Sequence, residues 1–239
     1  MLLLDATMSI APAKEAELNT WYHLHVPRLV AVPGYESGNR YVAMTPGPRY
    51  VALYEIRDHA ALPLLLGQDT GARDEVTLSE WAVWDRDLLP HTSDLHLHVY
   101  EPLAATPPRL LRGGRPLVVV RVETDADDPA SADAAWRDAV LPRLATEPDV
   151  TGAVLLRQSP DPVVGWLNTG PHRLLGLIEC AGVAAARTLA ERDAAGGGFA
   201  QSLADAAGAA AARVTAYRPI ARHWNWERRG DGAQAEVAR

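Results

Sequence analysis

The sequence predicts an α+β protein made of two tandem copies of one β-α-β-β-α-β unit. Three observations lead to this prediction. The motif W-x5-PRL-x3-P occurs at Trp21 and again 115 residues later at Trp136, other segments repeat in the same order, and a stretch rich in Pro, Gly and Arg separates the copies. Repetition at a long, nearly constant offset is typical of a duplicated structural unit.

Two further pairs of segments support the duplication. RYVALYEI (Arg49 to Ile56) matches RLLGLIEC (Arg173 to Cys180), and VYEPL (Val99 to Leu103) matches AYRPI (Ala216 to Ile220). The offset grows from 115 to 124 between the first two matches, which predicts about nine extra residues around 159–170. The repeats are therefore expected at 1–105 and 116–222, with a linker at 106–115 and a C-terminal tail at 223–239.

Hydrophobic periodicity predicts the elements of the first copy in order. These are a strand at 2–10, a helix at 13–32, strands at 35–44 and 50–56, a helix at 76–89 and a strand at 95–102. This order is the ferredoxin-like split βαβ unit, whose helices cover only one face of the sheet. The uncovered faces of two such units can pack sheet to sheet and close an α/β barrel.

Composition limits the classes of partner. The 239-residue chain is 48% hydrophobic, carries a net charge of −7, and has its 23 basic residues scattered along its length. We therefore expect neither nucleic acid nor a membrane as a partner, and favour a small hydrophobic substrate. The single cysteine, Cys180, cannot form an internal disulfide, which favours the cytoplasm, and it is interpreted as a core residue.

The first copy resembles a known family. The pattern W-Y-x-x-H-x-P-x-L-x-x-V-P-G at 21–34, then RYVALYEI, then W-x-x-W-x-R-x-L-L-P-H at 81–91, is similar to the EthD-like branch of the dimeric α/β-barrel superfamily. The resemblance covers residues 1–105 well and 116–220 weakly. It implies a barrel that families usually build from two chains, so a fused chain could be a monomer with an intramolecular barrel or a homodimer. It also implies cofactor-independent cyclisation, isomerisation, dehydration or oxygenation.

The histidines of the opening motif do not form a metal pair. A helix turns about 100° per residue, so His23 and His25 point in nearly opposite directions. The second copy has Asp138 and Val140 at these positions, which indicates that the motif is mainly architectural. Alternatively, His25 lies at the barrel mouth and contacts ligand, while His23 is solvated. Pro27 predicts a kink or an end to this helix.

Alternation along the strands predicts which side chains enter the barrel. The last strand of the first copy would place Leu95, Leu97 and Val99 against the helices and the polar row in the barrel. The expected inward residues of the first copy are His96, His98, Tyr100, Asp5, Thr7, Tyr50 and Tyr54. Those of the second copy are Arg213, Thr215 and Tyr217 beside an aliphatic row of Leu174, Gly176 and Ile178. One half of the barrel interior would then be polar and the other aliphatic.

Neutral imidazole beside phenols suits proton transfer next to a carbonyl. We expect His98 to be the base, with His96 as the alternate, Tyr54 and Tyr50 as donors, and Tyr100, Asp5, His25 and Arg213 as substrate contacts. Alternatively, these residues surround trapped waters. Metal binding by His96 and His98 is less favoured, because Asp5 or another strand would have to supply a third ligand and Glu55 is expected on the helix side.

The predicted function is a cofactor-independent enzyme of lyase or isomerase type. It would act, in a cyclase- or dehydratase-like manner, on a hydrophobic carbonyl, aromatic or polyketide-like compound. A non-catalytic binder or accessory protein and a cofactor-free monooxygenase remain alternatives. The sequence contains no dinucleotide-binding G-x-G-x-x-G after a strand, no Walker A motif and no G-x-S-x-G elbow.

Overall fold

The computed structural model describes residues 1–65, 75–103, 114–124, 130–168, 172–196, 198–209 and 212–224. Eight strands form the sheet: β1 Leu2–Ile10, β2 Tyr35–Ala43, β3 Tyr50–Ile56, β4 Thr92–Pro102, β5 Leu117–Thr124, β6 Val150–Gln158, β7 His172–Cys180 and β8 Ala212–Trp224. The helices are α1 Glu15–Ala31, α2 Leu62–Leu65, α3 Glu75–Val83, α4 Ala130–Ala135, α5 Leu141–Ala145, α6 Val183–Ala194 and α7 Phe199–Ala206. A π-helical turn follows α3 at Trp84–Leu88, and another at Trp136–Val140 joins α4 to α5.

The strands close into one antiparallel barrel in the order β1-β3-β2-β8-β5-β7-β6-β4. The predicted α+β class and barrel are therefore confirmed. The strand order within the first four is 4-1-3-2 and within the last four is 8-5-7-6, and the two groups meet where β2 pairs with β8 and β4 with β6. The predicted linker lies outside the described residues except for positions 114 and 115.

Helix α1 does not end at Pro27, which was one of the two outcomes expected there, but continues to Ala31. Pro27 has no N–H to donate to the carbonyl of His23, and both residues lie on the exposed side of α1, where water can satisfy that carbonyl. Strand β8 extends to Trp224 by pairing with β2, so residues 223 and 224, expected in the C-terminal tail, belong to this strand. Trp226 and the rest of the predicted tail lie outside the described residues.

Helices cover the outer surface of the barrel, and both halves fill its centre. Trp21 and Trp136 occupy equivalent places under the helices of the two halves, and Trp136 lies against Gly176, where a Cβ would be 3.2 Å from the indole. The central layer is apolar and buried: Leu3, Tyr41, Val51, Leu53, Tyr100, Leu117, Val119, Val154, Leu156, Leu175, Leu177 and Tyr217. Each such side chain stabilises the fold by roughly 1.5–3 kcal/mol on burial.

The predicted direction of Tyr50 and Tyr54 was wrong. Both pack with the helix-side core, whereas Val51 and Leu53 lie inside the barrel. Every residue of β3 is buried, so this strand has no polar face to reveal which row points inward. Glu55 belongs to the inward row and accepts a hydrogen bond from Ser37 at 2.5 Å, contrary to its expected helix-side position.

The same one-residue error affects the second copy. Leu174 and Ile178 pack under the helices, whereas Leu175 and Leu177 fill the barrel. The interior is therefore not divided into a polar half and an aliphatic half. Instead, its polarity changes along the barrel axis: one end is polar, the middle is apolar, and the other end contains buried carboxylates.

Candidate functional site

A cavity of about 560 Å³ opens at one end of the barrel. Its wall comes from both halves of the chain and includes five of the predicted site residues, Asp5, His96, His98, Tyr100 and Arg213. Other lining residues are Arg121, Glu123, Arg173 and Thr215. The predicted alternation of β4 is thus correct: its histidines face the barrel, and Leu95 and Leu97 face the helices.

His98 is a buried, unpartnered base in this cavity. Its side chain is 6% exposed, and neither ring nitrogen has a hydrogen-bond partner among the described residues. Burial, and after it the positive charge of Arg173, lowers its pKa to about 4. The backbone of Leu167 lies toward the ring and partly offsets this shift without reaching hydrogen-bonding geometry. The imidazole is therefore neutral at pH 7 and can accept a proton.

His96 lies beside His98, with ring centroids 5.9 Å apart. Burial is the main cause that lowers its pKa, and the positive charges of Arg121 and Arg173 also lower it. The two rings share one face of β4, as the sequence predicted. Among the described residues, no group of three or more His, Cys, Asp or Glu side chains could hold a metal ion.

A buried ion pair links the two halves beneath the histidines. Nη2 of Arg121 on β5 donates to Asp5 Oδ2 at 3.1 Å and to Thr7 Oγ1 at 2.6 Å on β1. Burial opposes the guanidinium charge, but Asp5 outweighs it and raises the pKa of Arg121. Asp5 is thus held by Arg121 in the wall of the cavity.

Further charges surround the cavity. Arg173 Nε lies 3.5 Å from Glu123 Oε1, and Arg213 is exposed at the rim. Three arginines and two carboxylates, Asp5 and Glu123, line the site, which leaves it one positive charge in excess when the histidines are neutral. This local excess contrasts with the net charge of −7 for the chain. The site is suited to a ligand with a carbonyl or anionic oxygen.

The loop between β2 and β3 forms part of the cavity wall. The carbonyl of Pro48 accepts a hydrogen bond from Tyr217 Oη at 3.0 Å, and that of Pro46 accepts one from Thr215 at 3.3 Å. Between them, Gly47 has φ of +149°, and a Cβ here would lie 2.3 Å from Thr215 Oγ1. Only glycine fits this close approach, so the loop is held tightly against β8.

His25 and Tyr54 lie in a second, smaller pocket of about 120 Å³ between the sheet and the helices. His25 stacks on Trp21 at a centroid distance of 4.1 Å, and its Nδ1 is 3.5 Å from Glu80 Oε2. Burial lowers its pKa to about 4, helped by the charges of Arg28 and Arg40. His25 is therefore not at the barrel mouth, because α1 holds it on the outer surface of the sheet.

Tyr50 lies near neither histidine of the barrel. Its hydroxyl donates to Glu15 and accepts from Asn19 of α1, and burial raises its pKa, with a further contribution from Glu15. Tyr54 is buried beside Tyr35, and burial raises its pKa also. Neither phenol can serve as the predicted donor to a substrate at His98, because the wall of the barrel separates them.

Arg121, Glu123 and Arg173 line the cavity but were not among the predicted site residues. In β5, LVVVRVET, Arg121 and Glu123 share a face with Val119, so the alternation rule applied to this strand would have placed both inside the barrel. Arg173 is the first residue of RLLGLIEC, the segment that matches RYVALYEI. Because the inward row of β3 was predicted wrongly, the inward row of this matching segment was also predicted wrongly, and Arg173 was left out.

No family model matches the sequence, and no curated protein matches it. Several solved structures share its fold. An anthrone oxidase-like protein aligns with a TM-score of 0.61 at 13% identity, over 94% of this chain and 93% of the other. A "putative monooxygenase" from Fusobacterium nucleatum subsp. nucleatum aligns at 0.58 and 9% identity, over 93% and 94% of the two chains.

A second "putative monooxygenase", from Lactobacillus acidophilus NCFM, aligns with a TM-score of 0.53 at 10% identity, over 94% of this chain and 96% of the other. At such low identity the likeness shows that the chain shares the fold of these proteins. No helix in the described residues is long and apolar enough to cross a membrane.

Proposed function

We propose that the protein is a cofactor-independent enzyme that uses His98 to remove a proton from carbon activated by an adjacent or conjugated carbonyl. The substrate would be a hydrophobic aromatic or polyketide-like compound bound in the barrel-end cavity. The observation that carries this proposal is the buried imidazole of His98, unpartnered and facing a cavity of about 560 Å³. A buried polar group without a partner is costly unless a ligand supplies one.

The low pKa of His98 constrains the substrate. A base whose pKa is about 4 is weak, so it can remove only a proton from strongly activated carbon. A methylene between aromatic rings and conjugated to a carbonyl meets this need, because its carbanion is an aromatic enolate. The guanidinium of Arg173 lies on the same cavity wall and can stabilise the enolate oxygen.

We further propose oxygenation as the overall reaction. His98 removes one proton, and the resulting carbanion is oxidised by dioxygen, which bonds to that carbon. Loss of the second proton from the same carbon breaks the O–O bond. One methylene and one dioxygen thus give one ketone and one water, so the methylene carbon is oxidised and dioxygen is reduced. The oxidase and monooxygenase names of the fold neighbours support this class over cyclisation.

We also propose that the chain is a fusion of two ferredoxin-like units, the first of EthD-like type. The matching strand orders 4-1-3-2 and 8-5-7-6 and the repeated motif at Trp21 and Trp136 support this interpretation. In this view His96 and His98 belong to one ancestral unit and Arg121, Arg173 and Arg213 to the other. The site then depends on residues from both units.

The experiment is oxygen consumption with anthrone as substrate. Wild-type protein should consume one dioxygen per anthrone, and His98→Ala should lower kcat by about 10²–10⁴-fold while the thermal midpoint remains close to wild type. His23→Ala, which removes an exposed histidine from α1, is the matched control and should leave kcat unchanged.

Each other outcome contradicts a stated part of the proposal. Turnover of anthrone or of an enolisable polyketide-like ketone without oxygen consumption would replace oxygenation by cyclase, dehydratase or isomerase chemistry at the same base. Turnover that persists in His98→Ala would refute His98 as the base. Tight binding without turnover would favour the ligand-binding or accessory alternative.

A further inference from the structure

Among the described strand pairings, the seam between β4 and β6 is the shortest of the barrel wall. Its register covers Tyr100–Pro102, whereas β1 pairs with β3 from Leu2 to Met8. One further backbone hydrogen bond lies at each end: the Ser159 N–H donates to the Val99 carbonyl at 2.8 Å, and the Leu103 N–H donates to the Leu155 carbonyl at 3.2 Å. At Val99 the side chain of Asn168 adds to the pairing: its Oδ1 accepts from the Val99 N–H at 3.0 Å, and its Nδ2 donates to the Val99 carbonyl at 3.2 Å. Beyond Val99, this edge of β4 faces an opening.

The opening is a cavity of about 260 Å³ lined by Leu95, His96, Leu97, His98, Trp166, Leu167 and Arg173. No described strand pairs with this edge of β4 beyond Val99, and side chains from both faces of β4 reach the same space. His96, His98 and Arg173 also line the barrel-end cavity, and Leu95, Leu97, Trp166 and Leu167 also line the aromatic pocket under the helices. The opening therefore has one polar and one apolar wall.

Trp166 stands at the rim of this opening. Its side chain is 61% exposed, and it belongs to the insertion that the first copy lacks. An isolated exposed apolar residue is ordinary on a protein surface. Trp166 differs because it continues the apolar wall formed by Leu97 and Leu167, opposite a cationic group and an unpartnered imidazole.

We propose that the opening between β4 and the Ser159–Asn168 segment binds a flat aromatic molecule that carries an acidic oxygen, and admits it sideways to His98. The ring system packs on Trp166 and Leu97, and the oxygen is directed to Arg173. Aromatic packing and a charged hydrogen bond are the two interactions that this pair of walls offers. This site deepens the proposed function, on which its role as an entrance rests.

The test uses two fluorescent probes that share their rings and differ in charge. The first is 8-anilino-1-naphthalenesulfonate, and the second is the uncharged N-phenyl-1-naphthylamine. Trp166→Ala should weaken both probes by about tenfold, and Trp166→Phe, which keeps an aromatic ring, should restore most of the affinity. Leu24→Ala, which removes an apolar side chain that is 50% exposed on α1, should change neither.

Charge is tested separately. Arg173→Gln should weaken the sulfonate by about tenfold and leave the uncharged probe within about twofold of wild type. Since Arg173 is paired with Glu123, Glu123→Gln provides a second measurement if Arg173→Gln does not fold: it should tighten the sulfonate alone. Equal effects of Arg173→Gln on both probes, or an unchanged affinity for both probes in Trp166→Ala, would overturn the site.

The two proposals fail in distinguishable ways. Probe binding that depends on Trp166, in a wild-type protein that turns over neither anthrone nor a polyketide-like ketone, would remove the proposed function and leave the binding site. Oxygen consumption that depends on His98, together with probe binding that does not change in Trp166→Ala, would support the proposed function and refute the binding site.

Discussion

Two buried histidines show how similar pKa values can arise in different surroundings. His25 and His98 both have a pKa of about 4, and burial is the main cause for each. His25 is enclosed by indoles and lies near the carboxylate of Glu80, whereas His98 faces an open cavity with both nitrogens unpartnered. Only His98 therefore combines a neutral imidazole with space for a substrate.

The low pKa of His98 makes stability depend on pH. In the unfolded chain the imidazole binds a proton below about pH 6.5, whereas in the folded protein it does so only below about 4. Stability should thus fall as the pH drops from 6.5 to 4. Urea unfolding should show that His98→Gln removes roughly 2 kcal/mol of this loss. His23→Gln is the control, and an identical pH dependence in wild type and His98→Gln would contradict the assignment.

The ion pair between Asp5 and Arg121 should behave as a coupled unit. Asp5→Asn leaves a buried guanidinium without its anion and should lower the free energy of unfolding by roughly 3 kcal/mol. Arg121→Met alone should cost a similar amount, because it leaves the carboxylate of Asp5 buried. In a double-mutant cycle, Asp5→Asn and Arg121→Met together should lower the free energy of unfolding by less than the sum of their separate effects. Additive effects would show that the two residues do not interact.

At the level of elements, the conformation of the loop between β2 and β3 depends on one glycine, Gly47. Gly47→Ala meets both a positive φ and the hydroxyl of Thr215, so it should lower stability by about 1–3 kcal/mol and weaken substrate binding at the mouth. Gly182→Ala at the start of α6 is the matched control, because nothing lies within 4 Å of its added Cβ. Equal thermal midpoints for the two variants would contradict this account.

The seam between β4 and β6 has the fewest paired residues of the described strand pairings. Asn168→Ala removes the amide that pairs with Val99 and should speed hydrogen exchange at the Val99 amide by about tenfold or more. The amide of Leu53, in the fully paired β3, is the internal control and should exchange as in wild type. Faster exchange at both positions would mean global destabilisation instead of local opening.

For the whole molecule, the shared interior should make the two halves unfold together. Leu53 of the first half and Leu175 of the second are both 0% exposed in the same central layer. Leu53→Ala and Leu175→Ala should each lower one common urea transition, by about 3 kcal/mol. Leu24→Ala on the surface should have little effect. Two separate transitions would show that the halves fold independently.

The sequence by itself determined the class and order of elements. Its repeated motifs predicted two similar halves, and hydrophobic periodicity located β1 and β3 at their observed bounds. Where a strand had one polar and one apolar row, as in β4, it also determined direction and led to His96 and His98. These are local properties, because side-chain alternation and turn chemistry are set by neighbours in the chain.

Only the tertiary structure decided the directions of β3 and β7 and the partners of the site. Both faces of these strands are buried, so their sequences have no solvent side to read, and Tyr50 and Tyr54 were placed in the wrong layer. Arg121 and Asp5 are 116 residues apart and meet only because the barrel closes. The opening beside Trp166 likewise exists because β4 and β6 pair over a short seam, a matter of register between distant strands that local patterns cannot specify.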